Sequence, residues 1–250
     1  MGADTGIEWT DATWNPVRGC TRVSPGCVNC YAEIMAARFS KPKQWGHGFA
    51  NMKGGDHRWT GKVTLIESQL GLPLHWRKPR KIFVNSTSDL FHESLPDEAI
   101  DRVFAIMALC KQHTFQVLTK RPERMAQVLT KPPFEILSNV WLGTSVEDDR
   151  VLYRLDAIRQ VPSAIRFVSL EPLIGSVAQG DLTGIHWAIV GGESGPRARE
   201  MKPEWVDEIE AMCRSSGTAF FFKQWGGKNK KAAGRMLNGK TYDEMPGLRL

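Results

Sequence analysis

The stretch KIFVNSTSDLFHESLPDEAIDRVFAIMALCKQHTFQVLT, residues 81–119, contains one complete strand–helix–strand pattern. Its two ends, Lys81–Val84 and Thr114–Thr119, are short and largely apolar, as expected of strands covered on both faces of a parallel sheet. Between them, apolar residues recur at helical spacing over residues 100–108, after a proline and two acidic residues at 96–98 that suit the first turn of a helix. This stretch therefore predicts a β–α–β unit.

The same alternation continues on both sides of this unit. Further strands are predicted at residues 14–17, 140–143, 165–169, 186–190 and 218–222, and further helices at 31–39, 121–129, 148–158 and 203–213. The link at 170–185 shows little helical pattern. The fold class predicted is α/β, a partial (β/α) barrel of about six to seven parallel strands, and the pattern alone leaves a doubly wound sheet open.

Composition limits the class of protein. A chain of 250 residues with 42% hydrophobic residues fits one large domain, and neither a charged-then-apolar leader nor a bilayer-length apolar run occurs, so we expect a cytoplasmic protein without membrane contact. The net charge of +6 favours polyanionic partners. Basic residues gather at 77–81 and again at 223–240, which indicates either solvated surface or contact with nucleic acid.

Three of the five cysteines, Cys20, Cys27 and Cys30, lie in the run GCTRVSPGCVNCYAE, residues 19–33. The turn formers at 24–26 allow three sulfurs to converge without an intervening helix or strand. Thiolates are preferred ligands of iron–sulfur clusters and of zinc, and three ligands rather than four leave one metal position open. The remaining two cysteines are expected in the core. A zinc site completed by a histidine is the competing inorganic interpretation, and the candidates for that ligand are His47 and His57.

The spacing Cys20-x6-Cys27-x2-Cys30 resembles the cluster loop of the radical S-adenosylmethionine (radical SAM) enzymes, whose usual spacing is Cys-x3-Cys-x2-Cys. The second gap matches and the first is three residues longer. The sequences WNPV at 14–17 and SPGC at 24–27 closely resemble a phage-associated family of three-cysteine-motif proteins, also found in bacterial genomes. That likeness extends from residue 7 to residue 227.

This resemblance implies a radical SAM enzyme with a 4Fe–4S cluster on Cys20, Cys27 and Cys30. Such an enzyme cleaves S-adenosylmethionine (SAM) to give a 5′-deoxyadenosyl radical, with electrons from an external donor. The implied organisation is a single partial-barrel domain over 1–226, with a cluster loop at 19–31 and an insertion at 45–61. A basic C-terminal tail would follow at 227–250.

Polar residues follow the predicted strands, at the edge where active sites of parallel α/β folds form. By resemblance, residues after the second strand would bind the methionine part of SAM, and those after the fourth strand its ribose. A later glycine-containing turn would let the backbone approach the adenine or the methionine carboxylate. These three groups are Asn85, Ser86, Ser88 and Asp89; Thr144, Ser145 and Glu147; and Gly191, Gly192 and Glu193.

The substrate predicted is a nucleic-acid base or nucleotide, because of the basic runs, the insertion rich in Trp and His, and the phage association, which points to DNA modification. Four cations near the predicted rim would hold phosphates: Lys120, Arg121, Arg197 and Lys223. Two alternatives stay open. One is a radical SAM enzyme acting on a small acidic metabolite, and the other is a zinc- or cluster-stabilised nucleic-acid-binding protein without catalysis.

Overall fold

Seven parallel strands form the centre of the molecule, and the computed structural model describes residues 5–132 and 134–247. Along the chain the strands are β1 (Ala12–Trp14), β2 (Val17–Arg18), β3 (Ala50–Lys53), β4 (Asp56–Trp59), β5 (Thr64–Leu65), β6 (Lys81–Val84), β7 (Thr114–Thr119), β8 (Val140–Ser145), β9 (Ile165–Leu170), β10 (Trp187–Gly191) and β11 (Ala219–Gln224). The central sheet runs β1-β6-β7-β8-β9-β10-β11, with every neighbouring pair parallel.

This strand order decides between the two folds that the sequence left open. A doubly wound sheet reverses its order partway across. Here the order follows the chain without reversal, and the sheet curls into a half-barrel. The predicted α/β partial barrel of six to seven strands is therefore confirmed.

Seven helices lie in the described ranges, and the third to the sixth of them pack on the convex face of the sheet. The seven are α1 (Tyr31–Arg38), α2 (Glu67–Leu70), α3 (Asp97–Leu109), α4 (Pro122–Leu129), α5 (Tyr153–Arg159), α6 (Pro203–Ser216) and α7 (Lys230–Ala233). The apolar side of α3, including Ile100 and Met107, shares one buried core with Val84 and Val117 of the sheet. The link at 171–186 is described in full and contains no helix, as its sequence predicted. No helix in the described ranges is long and apolar enough to cross a membrane.

Six aromatic side chains fill the N-terminal half of the concave face, and we call this cluster the floor: Trp9, Phe83, Trp141, Phe167, Trp187 and Phe221. Trp187 lies at its centre, with its ring centroid 6.0 Å from that of Trp9 and 5.9 Å from that of Trp141. A Cβ at Gly143 would lie 2.6 Å from the Phe167 ring. The N-terminal half of the concave face is therefore filled by side chains.

The segment that follows β11 folds back along that strand. Phe222 N donates to the carbonyl of Tyr242 at 3.0 Å, and Trp187 Nε1 donates to the carbonyl of Glu244 at 2.9 Å. Leu237 and Tyr242 are buried. Through residue 247, the region predicted as a basic tail at 227–250 thus contributes to the folded body, and it covers the edge of the sheet.

The predicted insertion at 45–61 contains the hairpin β3–β4, whose turn is formed by Gly54 and Gly55 with positive φ angles. The hairpin packs on α1 through small buried residues. At the end of β4, Trp59 N donates to Glu33 Oε1 of α1 at 2.8 Å. The insertion is therefore fixed to the helix that follows the cysteines.

Candidate active site

The cysteine loop, residues 19–31, lies at the rim, by which we mean the edge where the seven central strands end. Gly19 forms a parallel bridge with Ser88, which follows β6. The turn formers at 24–26 produce a short 3-10 turn over Pro25–Cys27, and Cys30 immediately precedes α1. The loop that carries the thiols is therefore attached to the edge at which parallel α/β folds bind their ligands.

Cys20, Cys27 and Cys30 are free thiols, and the latter two lie close enough to Cys20 for their charges to act on it. Burial, together with the charge of the nearby Asp89 carboxylate, raises the pKa of Cys20 to about 12. Burial also raises the pKa of Cys30. Metals bind the thiolate, so a cation that occupies this loop has to replace protons that the protein alone holds firmly.

A loop with three thiols can hold either one metal ion or an iron–sulfur cluster. In the described ranges, no three or more Cys, His, Asp or Glu side chains are arranged to hold a metal ion. Ligands of one tetrahedral zinc would bring sulfurs to about 3.8 Å from each other, given a Zn–S bond of ~2.3 Å. In an iron–sulfur cluster each cysteine binds a different iron, which leaves the sulfurs further apart. Of the two histidines named for the zinc alternative, His47 has its Nδ1 2.9 Å from the Ser40 carbonyl oxygen, and His57 Nδ1 is buried without a hydrogen-bond partner among the described residues.

Arg121 braces the start of the cysteine loop. Its Nη2 donates to Thr21 Oγ1 at 2.9 Å, and its Nη1 donates to Asp89 Oδ2 at 3.0 Å and lies 3.9 Å from Cys20 Sγ. Its Nε donates to Glu93 at 2.8 Å, and the side chain is only 4% exposed. Sequence analysis gave Arg121 a phosphate contact. In the structure its guanidinium faces the loop and two carboxylates.

Glu147 braces the middle of the loop. Its Oε1 accepts hydrogen bonds from Ser24 Oγ at 3.0 Å and from Lys120 Nζ, and its Oε2 accepts from Arg154 Nη1 at 3.1 Å. Glu147 and Arg154 are each 1% exposed. A Cβ at Gly26 would lie 2.4 Å from Glu147 Cγ, so the loop touches this side chain directly. Glu147, predicted to contact the ribose, therefore uses both carboxylate oxygens in contacts with the loop and with two neighbouring cations.

Glu193 braces the end of the loop. Its Oε2 accepts hydrogen bonds from Asn29 Nδ2 and from Arg199 Nε, both at 2.9 Å. Arg199 Nη1 donates in turn to the Pro25 carbonyl at 3.0 Å. Burial alone would raise the pKa of Glu193, but the hydrogen bonds from Arg199 and Asn29 outweigh it and hold the pKa below its usual range. The carboxylate therefore stays charged and paired.

The four predicted methionine-site residues after β6 lie beside the loop in different environments. Both carboxylate oxygens of Asp89 accept hydrogen bonds from the protein, including one from Thr119 Oγ1 at 2.7 Å. Ser88 Oγ donates to the Val17 carbonyl at 2.9 Å. Ser86 is hydrogen-bonded through its hydroxyl at 3.1 Å to Asn15 Oδ1.

Asn85 differs from its neighbours. It is a non-glycine residue with φ of +58°, and its side chain is buried. Its Oδ1 accepts from Val17 N at 3.2 Å, but its Nδ2 has no hydrogen-bond partner among the described residues. A buried donor without a partner costs free energy, whereas asparagine is one of the few residues besides glycine that tolerate a left-handed backbone.

The remaining predicted SAM contacts are buried at the ends of β8 and β10. Thr144 Oγ1 donates to the Thr119 carbonyl at 3.0 Å. Ser145 lies on the concave face in register with Ser169. The glycines allow close approach: a Cβ at Gly192 would lie 2.0 Å from the Trp225 carbonyl oxygen, and one at Gly191 would lie 3.3 Å from the Glu171 carboxyl carbon.

The other predicted phosphate contacts are distributed unevenly. Lys120 is turned inward to Glu147, and Lys223 Nζ lies 2.7 and 2.9 Å from the two carboxylate oxygens of Glu171. Arg197 is 57% exposed and contacts Asp56 on the hairpin at 3.5 Å. Of these three, Arg197 is the most accessible to a polyanion.

Sequence reasoning missed three side chains that shape this site. They are Arg154, Arg199 and Glu171, none of which the sequence analysis singled out. The available signal for Glu171 was its position directly after β9, paired with a lysine at the end of β11. For the two arginines no local pattern existed, since their carboxylate partners lie six or seven residues away in irregular segments.

The family model described as "Protein of unknown function (DUF5131)" matches residues 4–246. The chain therefore belongs to this family. No curated protein and no solved structure matches the chain.

Proposed function

We propose that this member of the DUF5131 family is a radical SAM enzyme whose Cys20, Cys27 and Cys30 hold a 4Fe–4S cluster with one iron open to SAM. The substrate in this proposal is a nucleic-acid base or nucleotide. When bound, the cluster would supply the electron that cleaves SAM and so releases a 5′-deoxyadenosyl radical. The observation that carries the proposal is one loop with three free thiols, held at the rim of a half-barrel by three buried carboxylate networks.

The three hydrogen-bond networks around Asp89, Glu147 and Glu193, which we call the braces, support a cofactor loop. They fix the path of the loop mainly through its backbone and its polar side chains, which leaves the three sulfurs free to bind a metal. Each network joins the loop to a different strand end, through Asp89 after β6, Glu147 after β8 and Glu193 after β10. Such preorganisation keeps bound groups in one geometry. A loop that only capped a helix would not need three charged anchors, because buried ion pairs are a poor source of stability.

Asn85 supports a ligand between the loop and β6. Its unpartnered Nδ2 is a donor that an acceptor such as a carboxylate can satisfy. In the proposed arrangement the methionine end of SAM lies near this residue, in line with the resemblance. Glu147 and Asp89 accept hydrogen bonds from protein donors, so in this proposal they position the loop. Ser145 is then the candidate for the ribose contact.

The substrate class is supported by charge and by the shape of the concave face. The aromatic floor fills the N-terminal half of the concave face, so a substrate would bind on the rim side of it. The exposed Arg197 and the net charge of +6 favour a polyanionic substrate there. An external electron donor is also required, because the chain alone supplies no reductant.

Anaerobic reconstitution with iron and sulfide, followed by metal analysis and an assay for 5′-deoxyadenosine, tests the proposal. The wild-type chain should bind four irons and release 5′-deoxyadenosine from SAM in the presence of reductant, and Cys30→Ala should lose both. Cys110→Ala is the matched control, because Cys110 lies in the core. Stoichiometric zinc without SAM cleavage would contradict the proposal and favour a metal-stabilised binding protein. SAM cleavage without any nucleic-acid or nucleotide binding would favour a small acidic metabolite.

A further inference from the structure

The ion pair between Glu171 and Lys223 lies at the rim and is not part of any of the three braces. Glu171 directly follows β9, and Lys223 lies in β11 with its Nζ 2.7 and 2.9 Å from the two oxygens of Glu171. Their side chains are 22% and 13% exposed, so the pair borders solvent without being fully hydrated. Glu171 is four residues after Phe167 and Lys223 is two residues after Phe221. Because residues at even spacing along a strand lie on the same face, both side chains lie on the concave face, next to the floor. The pair therefore faces the opening of the half-barrel.

The carboxylate of this pair is held in a fixed position. Gln224 Nε2 lies 3.4 Å from Glu171 Oε1 and donates to Ser194 Oγ at 2.8 Å. Beneath it, Gly191 has no side chain, and a Cβ there would lie 3.3 Å from the carboxyl carbon. A fixed carboxylate beside a flexible ammonium is suited to recognition, because only the lysine has to move when a ligand binds.

Tyr31 provides a flat surface next to the pair. The residue is 53% exposed, and its hydroxyl donates to the Ser86 carbonyl, which fixes the ring. The Glu171 carboxylate lies close enough to the phenol for its charge to act there. An exposed aromatic face beside polar groups is the arrangement on which nucleic-acid bases stack.

The chemistry of the pair selects the kind of ligand. A phosphate at Lys223 would be repelled by Glu171, whose negative charge lies within 3 Å of the ammonium. A neutral heterocycle that has a hydrogen-bond acceptor next to donors can instead bind both side chains, with the acceptor at the Lys223 ammonium and the donors at the Glu171 carboxylate. Because the sequence had given Lys223 a phosphate contact, this geometry assigns the side chain a different partner.

Guanine is the base whose edge matches. Its O6 accepts a hydrogen bond, and N1–H and N2–H are two adjacent donors, which can reach the two oxygens of one carboxylate. Adenine and cytosine would each turn a ring acceptor toward one carboxylate oxygen, and thymine would turn a carbonyl toward it. We propose that Glu171 and Lys223 bind the Watson–Crick edge of a guanine base stacked on Tyr31. This inference rests on the proposed function, since it names the base that the enzyme would act on or hold.

Calorimetric titration of the full chain with deoxynucleoside monophosphates tests this inference directly. We expect dGMP to bind at least about tenfold more tightly than dAMP, dCMP or TMP, and Glu171→Gln to remove that preference, because the amide turns a donor toward N1–H or N2–H. dIMP, which lacks the 2-amino group, should bind several-fold more weakly than dGMP. Equal binding of dGMP and dIMP, or no preference for dGMP up to millimolar concentration, would overturn the inference.

Control variants separate recognition from folding. Glu67→Gln removes the exposed ion pair with Arg102 on the convex side and should leave dGMP binding unchanged. Tyr31→Phe keeps the ring and should retain binding, whereas Tyr31→Ala should weaken it roughly five- to a hundredfold. Unchanged affinity in Tyr31→Ala would overturn the stacking arrangement. Thermal denaturation of each variant shows whether the fold is intact.

The outcome for the base is independent of the outcome for the cofactor, because dGMP binding is measured on the protein without reconstitution. If guanine-selective binding is found but no 5′-deoxyadenosine is formed, the guanine site stands and the proposed enzymatic function fails. If SAM is cleaved but the pair shows no guanine preference, the proposed function stands and this inference fails.

Discussion

At the floor, six aromatic rings fill the concave face of the half-barrel, whereas at the rim the same face carries serines and then ion pairs. The step from one to the other takes two residues along a strand, from Phe167 to Ser169 and on to Glu171. Burial of aromatic surface stabilises a fold, while buried ion pairs contribute little net stability. The comparison teaches that one end of the sheet maintains the structure and the other positions the cysteine loop.

The largest effect is expected from breaking the floor. Trp187→Ala removes the fully buried central ring and should lower the free energy of unfolding by about 4 kcal/mol, since truncation leaves a cavity that its neighbours cannot fill. Urea denaturation measures this loss. Leu109→Ala, at an exposed helix end, is the control and should change stability by less than ~0.5 kcal/mol. A loss near that of the control would show that the floor is not a stabilising unit.

The second largest effect on stability is expected from removing one buried charge at the rim. Glu147→Leu leaves Arg154 buried without its carboxylate and should cost about 3 kcal/mol in unfolding free energy. The double variant Glu147→Leu/Arg154→Met should recover part of this loss, because no fully buried unpaired charge remains, and Lys120, which also loses its partner, borders solvent. If the double variant is less stable than the single one, the rim pair stabilises the fold and the contrast with the floor disappears.

A smaller change sharpens the comparison at the contact between loop and brace. Gly26→Ala would place a Cβ 2.4 Å from Glu147 Cγ, so the loop has to move. Such overpacking typically costs about 1–3 kcal/mol. Alkylation of Cys27, followed by mass spectrometry, should become faster than in the wild type. Gly6→Ala, with nothing within 4 Å of the new Cβ, is the matched control. Unchanged alkylation would show that the loop does not depend on this contact.

The smallest effect is expected at Asp148, which follows Glu147 and caps the next turn. The hydrogen bond from Arg150 holds the pKa of Asp148 below its ordinary value of 3.8. A lowered pKa means that the stabilisation is complete above that value and is lost as the pH falls through the folded-state pKa. Urea midpoints measured from pH 6 to pH 2.5 should therefore fall less steeply in Asp148→Asn than in the wild type. Parallel curves for both proteins would contradict this assignment.

The sequence predicted the half-barrel well because its strands have continuous apolar runs and its helices have clear apolar faces. The strands β7 and β9 and the helix α3 lie within a few residues of their predicted bounds. The strand order was not predictable, because local patterns do not encode which strands pair. The packing of residues 234–246 was missed for the same reason: the hydrogen bonds of Tyr242 and Glu244 depend on an edge that only the folded sheet provides.

The candidate site was predictable only where chemistry is local. The three cysteines could be found from spacing alone, and their common loop is as expected. Which polar residues face a ligand could not be read from the sequence, because Asp89, Glu147 and Glu193 find their partners through contacts up to 164 residues away along the chain. The positive φ of Asn85 leaves no trace in its neighbours, since asparagine also occurs in ordinary turns.

The segment that follows β11 and folds back along it has a consequence for how this protein is made. Twenty residues separate the end of β11 at Gln224 from Glu244, whose carbonyl receives the indole of Trp187. A chain that ends before this segment presents β11 as an unpaired strand edge, the feature through which strands of neighbouring chains pair. A stalled or early-terminated message is therefore expected to yield an aggregation-prone product although nearly the whole barrel has been translated.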